Sequence, residues 1–243
     1  TGLHTQTNYP FGTSLNTGAN WTWSYLIGDI GGETSGSGPT QRSSHIYPEY
    51  IERRWNNPVG SLGSDERHRV RVFATWDTPV PASWGNLSLG FVQSWDTGTP
   101  YGAVGSVNSK PYVTNPGYAS VNGISKFTYY YTARDAYRTE DIWRTDLSLN
   151  YSYRIGGVVE VYVAPIVYNL FNQQALIAPN TTVEDRTTNS SSYAAFNPFT
   201  TTPKQGARGT GANWNTGPSF GKATSAASYQ STRTFQISMG VRF

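Results

Sequence analysis

The residues of this chain that could do chemistry are scattered in ways that disfavour catalysis. Its three histidines, His4, His45 and His68, lie far apart, and no two have the spacing of metal ligands. Cysteine is absent, which excludes thiol chemistry. The sequence also lacks a nucleophile-elbow motif and a phosphate-binding loop. We therefore predict that the chain is not an enzyme and that it uses no metal and no cofactor.

The acidic residues support the same prediction. Asp65 and Glu66 are adjacent, as are Glu140 and Asp141, so strand alternation sends the members of each pair to opposite faces. A glycosidase needs two carboxylates that converge on one bond, although pairs distant in sequence stay open. The Glu52-Arg53-Arg54 triplet is interpreted as loop charge rather than as a ligand clamp.

The overall composition favours a membrane barrel or a sugar-binding sandwich. Aromatic residues reach 14%, with 17 Tyr and 8 Trp, whereas charged residues amount to only 14%. Tyr and Trp are typical of the aromatic girdles of barrels and also of carbohydrate sites. The net charge of +3 is too small to indicate nucleic acid. No apolar run approaches 18 residues, so no transmembrane helix is predicted. Because the chain starts at Thr1 without a signal peptide, we expect a mature or internal piece of a longer polypeptide.

The last nine residues show the clearest pattern in the chain. Apolar residues alternate strictly with polar or small ones and end on a C-terminal aromatic residue; they are Phe235, Ile237, Met239, Val241 and Phe243. Successive side chains of a strand point to opposite faces, so this segment has one apolar and one polar face. Outer-membrane barrels close with such a strand, in which one face contacts lipid and the other the lumen.

The same alternation predicts six clear strands and a weaker seventh, separated by connections that alternate in length. The predicted strands are 1–8, 19–27, 65–78, 87–97, 143–155, 158–171 and 233–243. Short turns are predicted at 78–86 and at Gly156-Gly157, the latter of the primed hairpin type. Long loops are predicted at 28–64, 98–142 and 172–232. Barrels of the outer membrane have short periplasmic turns and long extracellular loops, and the strand parity fits that rule.

Some positions carry finer expectations. Pro165 lacks a backbone donor in mid-strand, so a bulge or a locally unpaired edge is expected there. Asn169, Phe171 and Asn172 are interpreted as strand-end residues that satisfy backbone groups. No helix with capping residues and 3.6-residue periodicity is predicted.

The alternation also divides charged from apolar side chains. The predicted lipid-facing residues are Val70, Val72, Leu147, Leu149, Val159, Val161 and Ile237. A charge near the middle of the lipid face costs about 2–4 kcal/mol, so the charged residues are assigned to the lumen. These predicted lumen-facing residues are Arg67, Arg69, Arg71, Arg144, Asp146, Arg154 and Glu160. Solvation or mutual ion pairing is favoured for them over direct contact with a ligand.

An ordered set of short segments resembles the C-terminal end of a TonB-dependent outer-membrane receptor of the kind with a carboxypeptidase-regulatory-like N-terminal domain. The segments are ANWTWS (19–24), GDIGGETSG (28–36), YPEYIERRWN (47–56), DERHRVRV (65–72), TGTPYGAVG (97–105), AYRTEDIWRTDLSLNYSYRI (136–155), VYNLFNQ (167–173) and FQISMGVRF (235–243). The resemblance implies that residues 1–243 are the C-terminal part of a barrel of about 22 strands. It also implies that the terminal strand ending in Phe243 is read by the outer-membrane assembly machinery.

The implied function is uptake of a bulky, scarce ligand across the outer membrane of a Gram-negative-type bacterium. The implied partners are outer-membrane lipid, the remaining barrel strands, a plug domain and, through that plug, the TonB energy-coupling complex. The plug lies outside this sequence, and six or seven strands cannot close such a ring. The chain is therefore expected to be a fragment or to assemble with other chains. A secreted carbohydrate-binding β-sandwich and a passive porin or adhesin barrel stay open as alternatives, and the ligand is not identified.

Overall fold

The computed structural model describes residues 1–29, 48–114, 126–188 and 191–243, and these residues form an all-β chain. Seven long strands make one antiparallel sheet: β1 (Gly2–Phe11), β2 (Leu15–Ser24), β5 (His68–Asp77), β6 (Asn86–Asp96), β11 (Ile142–Ile155), β12 (Val159–Tyr168) and β15 (Thr234–Arg242). Eight short strands pair within the connections: β3 (Ile27–Gly28) with β4 (Gly60–Ser61), β7 (Pro100–Tyr101) with β10 (Tyr137–Arg138), β8 (Val104–Val107) with β9 (Phe127–Tyr130), and β13 (Glu184–Asp185) with β14 (Trp214–Asn215).

Helical structure in the described residues is limited to single turns. One α-helical turn spans Arg53–Asn56, and 3-10 turns span Pro48–Tyr50, Ala82–Trp84, Lys110–Tyr112 and Ala226–Ser228. The α-helical turn has no side-chain cap, which is why no start pattern in the sequence announced it. Within the described parts of the chain, no helix has the length and apolar character needed to cross a membrane.

The large sheet is an up-and-down meander. Its strand order, β1-β2-β5-β6-β11-β12-β15, places each long strand beside the next long strand along the chain. Short turns at 12–14, 78–85 and 156–158 therefore lie at one end, and long connections at 25–67, 97–141 and 169–233 lie at the other. The predicted alternation of short and long connections is confirmed. The sheet is open, because β1 and β15 form its two edges and do not pair with each other.

All seven predicted strands are confirmed, with shifts at some ends. β2 covers 15–24 instead of 19–27, since the turn-like residues near Gly18 belong to the strand. A side chain at Gly18 would collide with the ring of Phe73 on the neighbouring strand, so the glycine makes room for that ring. β12 ends at Tyr168 because Asn169 adopts a left-handed conformation, with φ of 53°.

The expectation for Pro165 is also met, and the one for the glycine turn is met in part. The β11–β12 ladder pairs Ser148 with Ile166 and Tyr151 with Val163, but nothing between these pairs. The register is the same on both sides of this gap, so Pro165 causes a locally unpaired edge and not a bulge. In the turn, Gly156 and Gly157 have φ of 59° and 79°, as a primed turn requires. The connection has three residues instead of the predicted two, because Ile155 pairs with Val159.

Among the described residues, the buried hydrophobic clusters are formed by the long connections. One buried cluster contains Tyr50 and Trp55 from the first connection and Val107, Phe127 and Tyr129 from the second. A second cluster joins residues of the second and third connections; it consists of Ala103, Val183 and Trp214. The described parts of connections 25–67, 97–141 and 169–233 therefore pack into one unit, here called the loop cap.

Candidate functional site

The strand register divides the large sheet into two faces of different chemistry. Directly paired residues of antiparallel strands point to the same side, so Val70, Leu147 and Ile237 share one face. Every Asp, Glu, Lys and Arg within the seven long strands lies on the other face: Arg69, Arg71, Asp77, Asp96, Arg144, Asp146, Arg154, Glu160 and Arg242. The first side is here called the apolar face and the second the polar face. The predicted division of these residues between two faces is confirmed.

The apolar face is exposed over most of its length. Large side chains from all seven strands stand out of it, among them Leu3, Trp21, Val72, Phe91, Leu147, Val161, Ile237 and Met239; all but Val161 are more than one-third exposed. Among the described residues, no second sheet packs against this face. Uncharged polar residues such as Gln93 and Thr145 also lie on this face, and Thr145 Oγ1 donates to Gln93 Oε1 over 2.6 Å. A predominantly apolar surface of this extent is characteristic of a contact with membrane or with another protein.

Aromatic side chains border the apolar face at both ends. At the end of the loop cap, four rings from β2, β5, β6 and β11 form a row: Trp21, His68, Trp95 and Trp143. Successive ring centroids in this row are 5.9, 6.0 and 5.6 Å apart. Trp21 Nε1 donates to His68 Nδ1 over 3.2 Å, so the histidine belongs to the aromatic row. Exposed aromatic residues recur at the end with the short turns, where Phe11, Trp76 and Tyr153 lie.

Most charged residues of the polar face form ion pairs, whereas Asp77 accepts a hydrogen bond from the Ser88 hydroxyl. Arg69 and Arg71 on β5 both approach Asp96 on β6, at 3.2 and 3.8 Å, and Arg69 also pairs with Glu66. On β11, Arg144 lies 2.9 Å from Asp146. Near the short turns, Glu160 is shared by Arg154 at 3.5 Å and Arg242 at 3.1 Å. These residues thus form mutual ion pairs while their arginines stay partly exposed, and their assignment to a lumen rather than to a ligand stays a prediction.

Asp65 joins the first and second connections of the loop cap, close to the ends of β2 and β5. Its side chain is 0% exposed, and Arg67 and Arg138 donate to its Oδ2 over 3.0 and 2.7 Å. The backbone N–H of Leu26 donates to its Oδ1 over 2.8 Å. Burial opposes ionisation of the Asp65 carboxyl, but the hydrogen bonds from Leu26, Arg138 and Arg67 outweigh it and lower its pKa. One carboxylate therefore ties two parts of the first connection, at Leu26 and Arg67, to the second connection at Arg138.

A second buried carboxylate, Asp185, joins the second and third connections. It is 1% exposed and accepts hydrogen bonds from the backbone N–H groups of Ser106, Thr187 and Thr188, at 2.6–2.8 Å. The hydroxyls of Tyr131 and Thr187 complete its shell at 3.3 and 2.9 Å. Burial and the neighbouring Asp185 raise the pKa of Tyr131, which keeps that hydroxyl protonated as a donor. These bonds fix the loop cap as a folded unit.

Other sequence-predicted residues have structural partners as well. His4 and His68 point to opposite faces of the sheet, and His45 lies outside the described residues. Trp95 Nε1 and Gly98 N both donate to Asp141, at 3.0 and 2.9 Å. Among the described residues, no three His, Asp or Glu side chains gather where they could hold a metal ion.

The Glu52-Arg53-Arg54 triplet and Asn169 form hydrogen bonds within and between the long connections. Arg54 pairs with Glu52 and also donates to the carbonyl of Phe199 in the third connection. Asn169 is 1% exposed, and its Nδ2 donates to the carbonyls of Gln173 and Ser231, both at 2.8 Å. The predicted role of Asn169 in satisfying backbone groups at the strand end is confirmed.

The loop cap contains two cavities that the sequence did not indicate. One, of about 500 Å³, is open and is bordered by Glu184, Tyr193 and Arg208. Its charges satisfy each other, since Arg208 makes two hydrogen bonds to Glu184, at 2.5 and 3.0 Å. The Arg208 hydrogen bonds lower the pKa of Glu184, with a further contribution from Tyr193. The other, of about 380 Å³, lies between the second and third connections.

No protein-family model, no curated protein and no solved structure matches this sequence. The functional argument therefore rests on the residues of this chain and on their geometry.

Two carboxyls of the loop cap, Asp65 and Asp135, lead us to expect that acid loosens the contacts that they make. The pKa values of Asp65 and Asp135 are lowered on folding, Asp135 chiefly by the hydrogen bond from the Ser61 N–H at 2.9 Å. Groups with lowered pKa stabilise the fold above their unfolded pKa of about 4, and this stability is lost as the pH falls through their folded pKa. We expect the amide protection factors of Leu26 and Ser61 to be constant from about pH 8 to 5 and to fall below about pH 4.

The control for this pH dependence is the Val183 amide, which donates to the backbone carbonyl of Val104 over 2.9 Å. Hydrogen exchange, corrected for intrinsic rates, would follow all three amides. Protection of Leu26 and Ser61 that persists unchanged to pH 2, or that falls only together with Val183, contradicts the role given to the two carboxyls.

Proposed function

We propose that residues 1–243 form part of the transmembrane barrel of an outer-membrane receptor of the TonB-dependent type. In this proposal the apolar face contacts lipid, the polar face lines the lumen, and the loop cap lies at the extracellular end. The remaining strands and the plug domain are supplied by the rest of the polypeptide or by other chains. The observation that carries the proposal is an exposed sheet face without a single formal charge, bordered by aromatic residues at both ends.

The dimensions of the sheet fit a bilayer. Its long strands have 9 to 14 residues, near the roughly 9–11 that a tilted transmembrane strand needs. Trp143 and Tyr153 mark the two aromatic borders on β11 and lie ten residues apart. At about 3.4 Å per residue and a tilt of about 45°, ten residues span roughly 24 Å of depth. This matches the apolar band of about 25 Å in outer-membrane barrels.

The open edges and the ion pairs are consistent with the same proposal. Unpaired backbone groups at β1 and β15 would be unsatisfied in lipid, so each edge requires a further strand. Ion pairs such as Glu160 with Arg154 and Arg242 suit a water-filled or plugged lumen better than a lipid surface. The receptor class and TonB coupling rest on the resemblance of the ordered sequence segments, and the transported ligand is not specified by them.

The exposed face argues against the carbohydrate-binding sandwich. A sandwich buries one face of each sheet against the other sheet, about 10 Å away. In the described residues, Leu147 and its neighbours Phe91 and Val167 have no such cover. A passive porin or adhesin barrel would share the apolar face, and an upstream plug domain would distinguish it from the receptor.

Site-directed spin labelling of β15 tests the membrane assignment directly. The chain has no cysteine, so each introduced cysteine is unique within residues 1–243. The full polypeptide, reconstituted in vesicles, would carry a nitroxide at each position from 235 to 242 in turn. We expect high oxygen access at Phe235, Ile237, Met239 and Val241, and high access of a water-soluble nickel complex at the positions between them. Absence of this two-residue period would refute the lipid-facing assignment.

The C-terminal residue gives a separate prediction about assembly. Phe243 is 98% exposed and lies beyond the last paired residue of β15, so Phe243→Ala removes little packing. If Phe243 is part of an assembly signal, the variant should assemble more slowly in cells, while the denaturant stability of the assembled fraction stays unchanged. Pulse-chase labelling with heat-modifiability gels measures the first quantity, and urea unfolding measures the second. Assembly at the wild-type rate and level contradicts the signal.

A further inference from the structure

The cavity of about 380 Å³ in the loop cap has the size of a pocket for a small molecule. Pockets for such ligands run from about 300 to 1,000 Å³ and are mostly lined by apolar and aromatic groups. The wall of this cavity combines residues of the second and third connections: Val107, Tyr112, Tyr131, Ala194, Ala195 and Phe196. Their aromatic and aliphatic surfaces suit a flat, apolar ring system.

The aromatic wall is held in place by buried neighbours. Phe196 packs edge-on against Tyr129, with ring centroids 5.3 Å apart, and Tyr131 lies 5.0 Å from the ring of Trp214. Because the Tyr131 hydroxyl is engaged by Asp185, it is the tyrosine ring that is left for contact with a ligand. A wall fixed in this way reduces the entropy lost on binding.

The charges around the cavity favour an anion at its rim. Arg186 is exposed at the rim, and its Nη1 donates to the carbonyls of Ser191 and Tyr193, at 3.3 and 3.2 Å. Among the described residues it has no carboxylate partner. Lys126 lies nearby and donates from Nζ to the carbonyl of Thr187 over 2.6 Å. Asp185 lies behind the lining residues, 1% exposed, with its charge bound by five hydrogen bonds.

We propose that this cavity binds a small planar apolar group that carries one negative charge. The ring system lies against Tyr112, Tyr131 and Phe196, and the anionic group points outward to Arg186. The reverse orientation would place the anion toward Asp185, whose negative charge disfavours it. The inference rests on the proposed receptor function for its biological meaning, since the cavity would then hold one moiety of the ligand to be taken up.

Two probes with the same ring system and opposite charges test the proposal. They are 2-naphthoate and 2-naphthylmethylammonium, titrated against the full polypeptide in lipid nanodiscs by isothermal calorimetry, with protein-free nanodiscs as the blank. We expect the anion to bind about fivefold more tightly than the cation, because the guanidinium of Arg186, exposed at the rim, attracts the one charge and repels the other. Equal affinities, or tighter binding of the cation, would overturn the proposal.

Substitutions distinguish binding of the probes in the cavity from their partition into lipid. Arg186→Met should remove the preference for the anion. Arg53→Met makes the same change at an arginine that is 79% exposed, paired with Asp29 and absent from the cavity lining, and should keep the preference. Ala195→Trp, at an exposed lining position, should fill the cavity and abolish binding of both probes. Near-ultraviolet circular dichroism checks that the aromatic packing of the cap is retained.

The outcomes also distinguish this inference from the proposed function. If Ala195→Trp leaves the affinities unchanged, the probes bind elsewhere and the site is refuted. If the polypeptide inserts into vesicles with the expected period along β15 but binds neither probe, only the cavity proposal fails. Loss of that period would refute the barrel assignment. It would not change the conclusion drawn from the measured affinities of the cavity.

Discussion

Leu147→Arg is expected to lower the free energy of unfolding from a bilayer by about 2–4 kcal/mol, because it places a charge near the middle of the lipid-facing surface. Leu147 lies four residues from Trp143 and six from Tyr153, which mark the aromatic borders of its strand. Its paired neighbours on the same face are Phe91 and Val167, so the arginine would have no carboxylate within reach. Urea unfolding of the full polypeptide from vesicles would measure the change.

Asn150→Arg is the matched control for that substitution. Asn150 is exposed on the same strand, three residues away, but it lies on the polar face opposite Ser88. The same side chain introduced there would meet water or the lumen, and we expect a change below about 1 kcal/mol. Similar effects of both substitutions would contradict the division of the sheet into lipid and lumen faces. A neutral Leu147→Arg in a protein that stays soluble without detergent would contradict membrane insertion itself.

The large sheet could be predicted from sequence because its side chains follow a local rule. In β15, Phe235, Ile237 and Met239 alternate with polar residues, and that period specifies both the strand and its faces. The alternation of short and long connections then favoured the meander, because strands that follow each other in sequence usually lie side by side in antiparallel sheets. Strand ends were less predictable. In β2, Gly18 indicates a turn from sequence alone, and only the structure shows that it makes room for the ring of Phe73.

The loop cap was not predicted, because nothing in its sequence is periodic. Its buried residues, such as Trp55 and Tyr193, stand singly among glycine, serine, threonine and asparagine. What holds them is contact over long sequence distances; Asp65 and Arg138, for example, are separated by 73 positions. Short polar segments of this kind are interpreted as loops, and only tertiary contacts reveal that three of them share one core.

The same reason explains which site residues sequence reasoning missed. Charged residues on long strands, such as Arg71 and Glu160, could be assigned to a face by counting. Asp185 could not, since its partners are backbone groups of two connections, and the sequence carries no mark of a backbone donor. Whether Arg186 has a carboxylate partner depends on the fold, and among the described residues it has none. No pattern in the sequence therefore indicates the cavity beside it.

Asp65→Ala is expected to destabilise the loop cap by about 2–3 kcal/mol, since it leaves two arginines and a backbone donor without their buried acceptor. Arg67 and Arg138 are about one-third exposed, at 33% and 37%, so water recovers part of the loss and the effect stays below that of a fully buried pair. The sheet is tied by its own backbone ladders. We therefore expect the cap to open locally, with faster exchange at Leu26, while the amides of β6 and β11 keep their protection.

Glu52→Ala provides the control, because Glu52 is 38% exposed and its ion pair with Arg54 lies at the surface of the cap. That substitution should cost less than about 1 kcal/mol. The two variants should also respond differently to acid. In Asp65→Ala the loss of Leu26 protection below about pH 4 should nearly vanish, because the carboxyl that titrates there is gone, whereas Glu52→Ala should retain it. If Asp65→Ala matches Glu52→Ala in both stability and pH dependence, the cap is held by its aromatic clusters, and the buried carboxylate does not hold its first and second connections together.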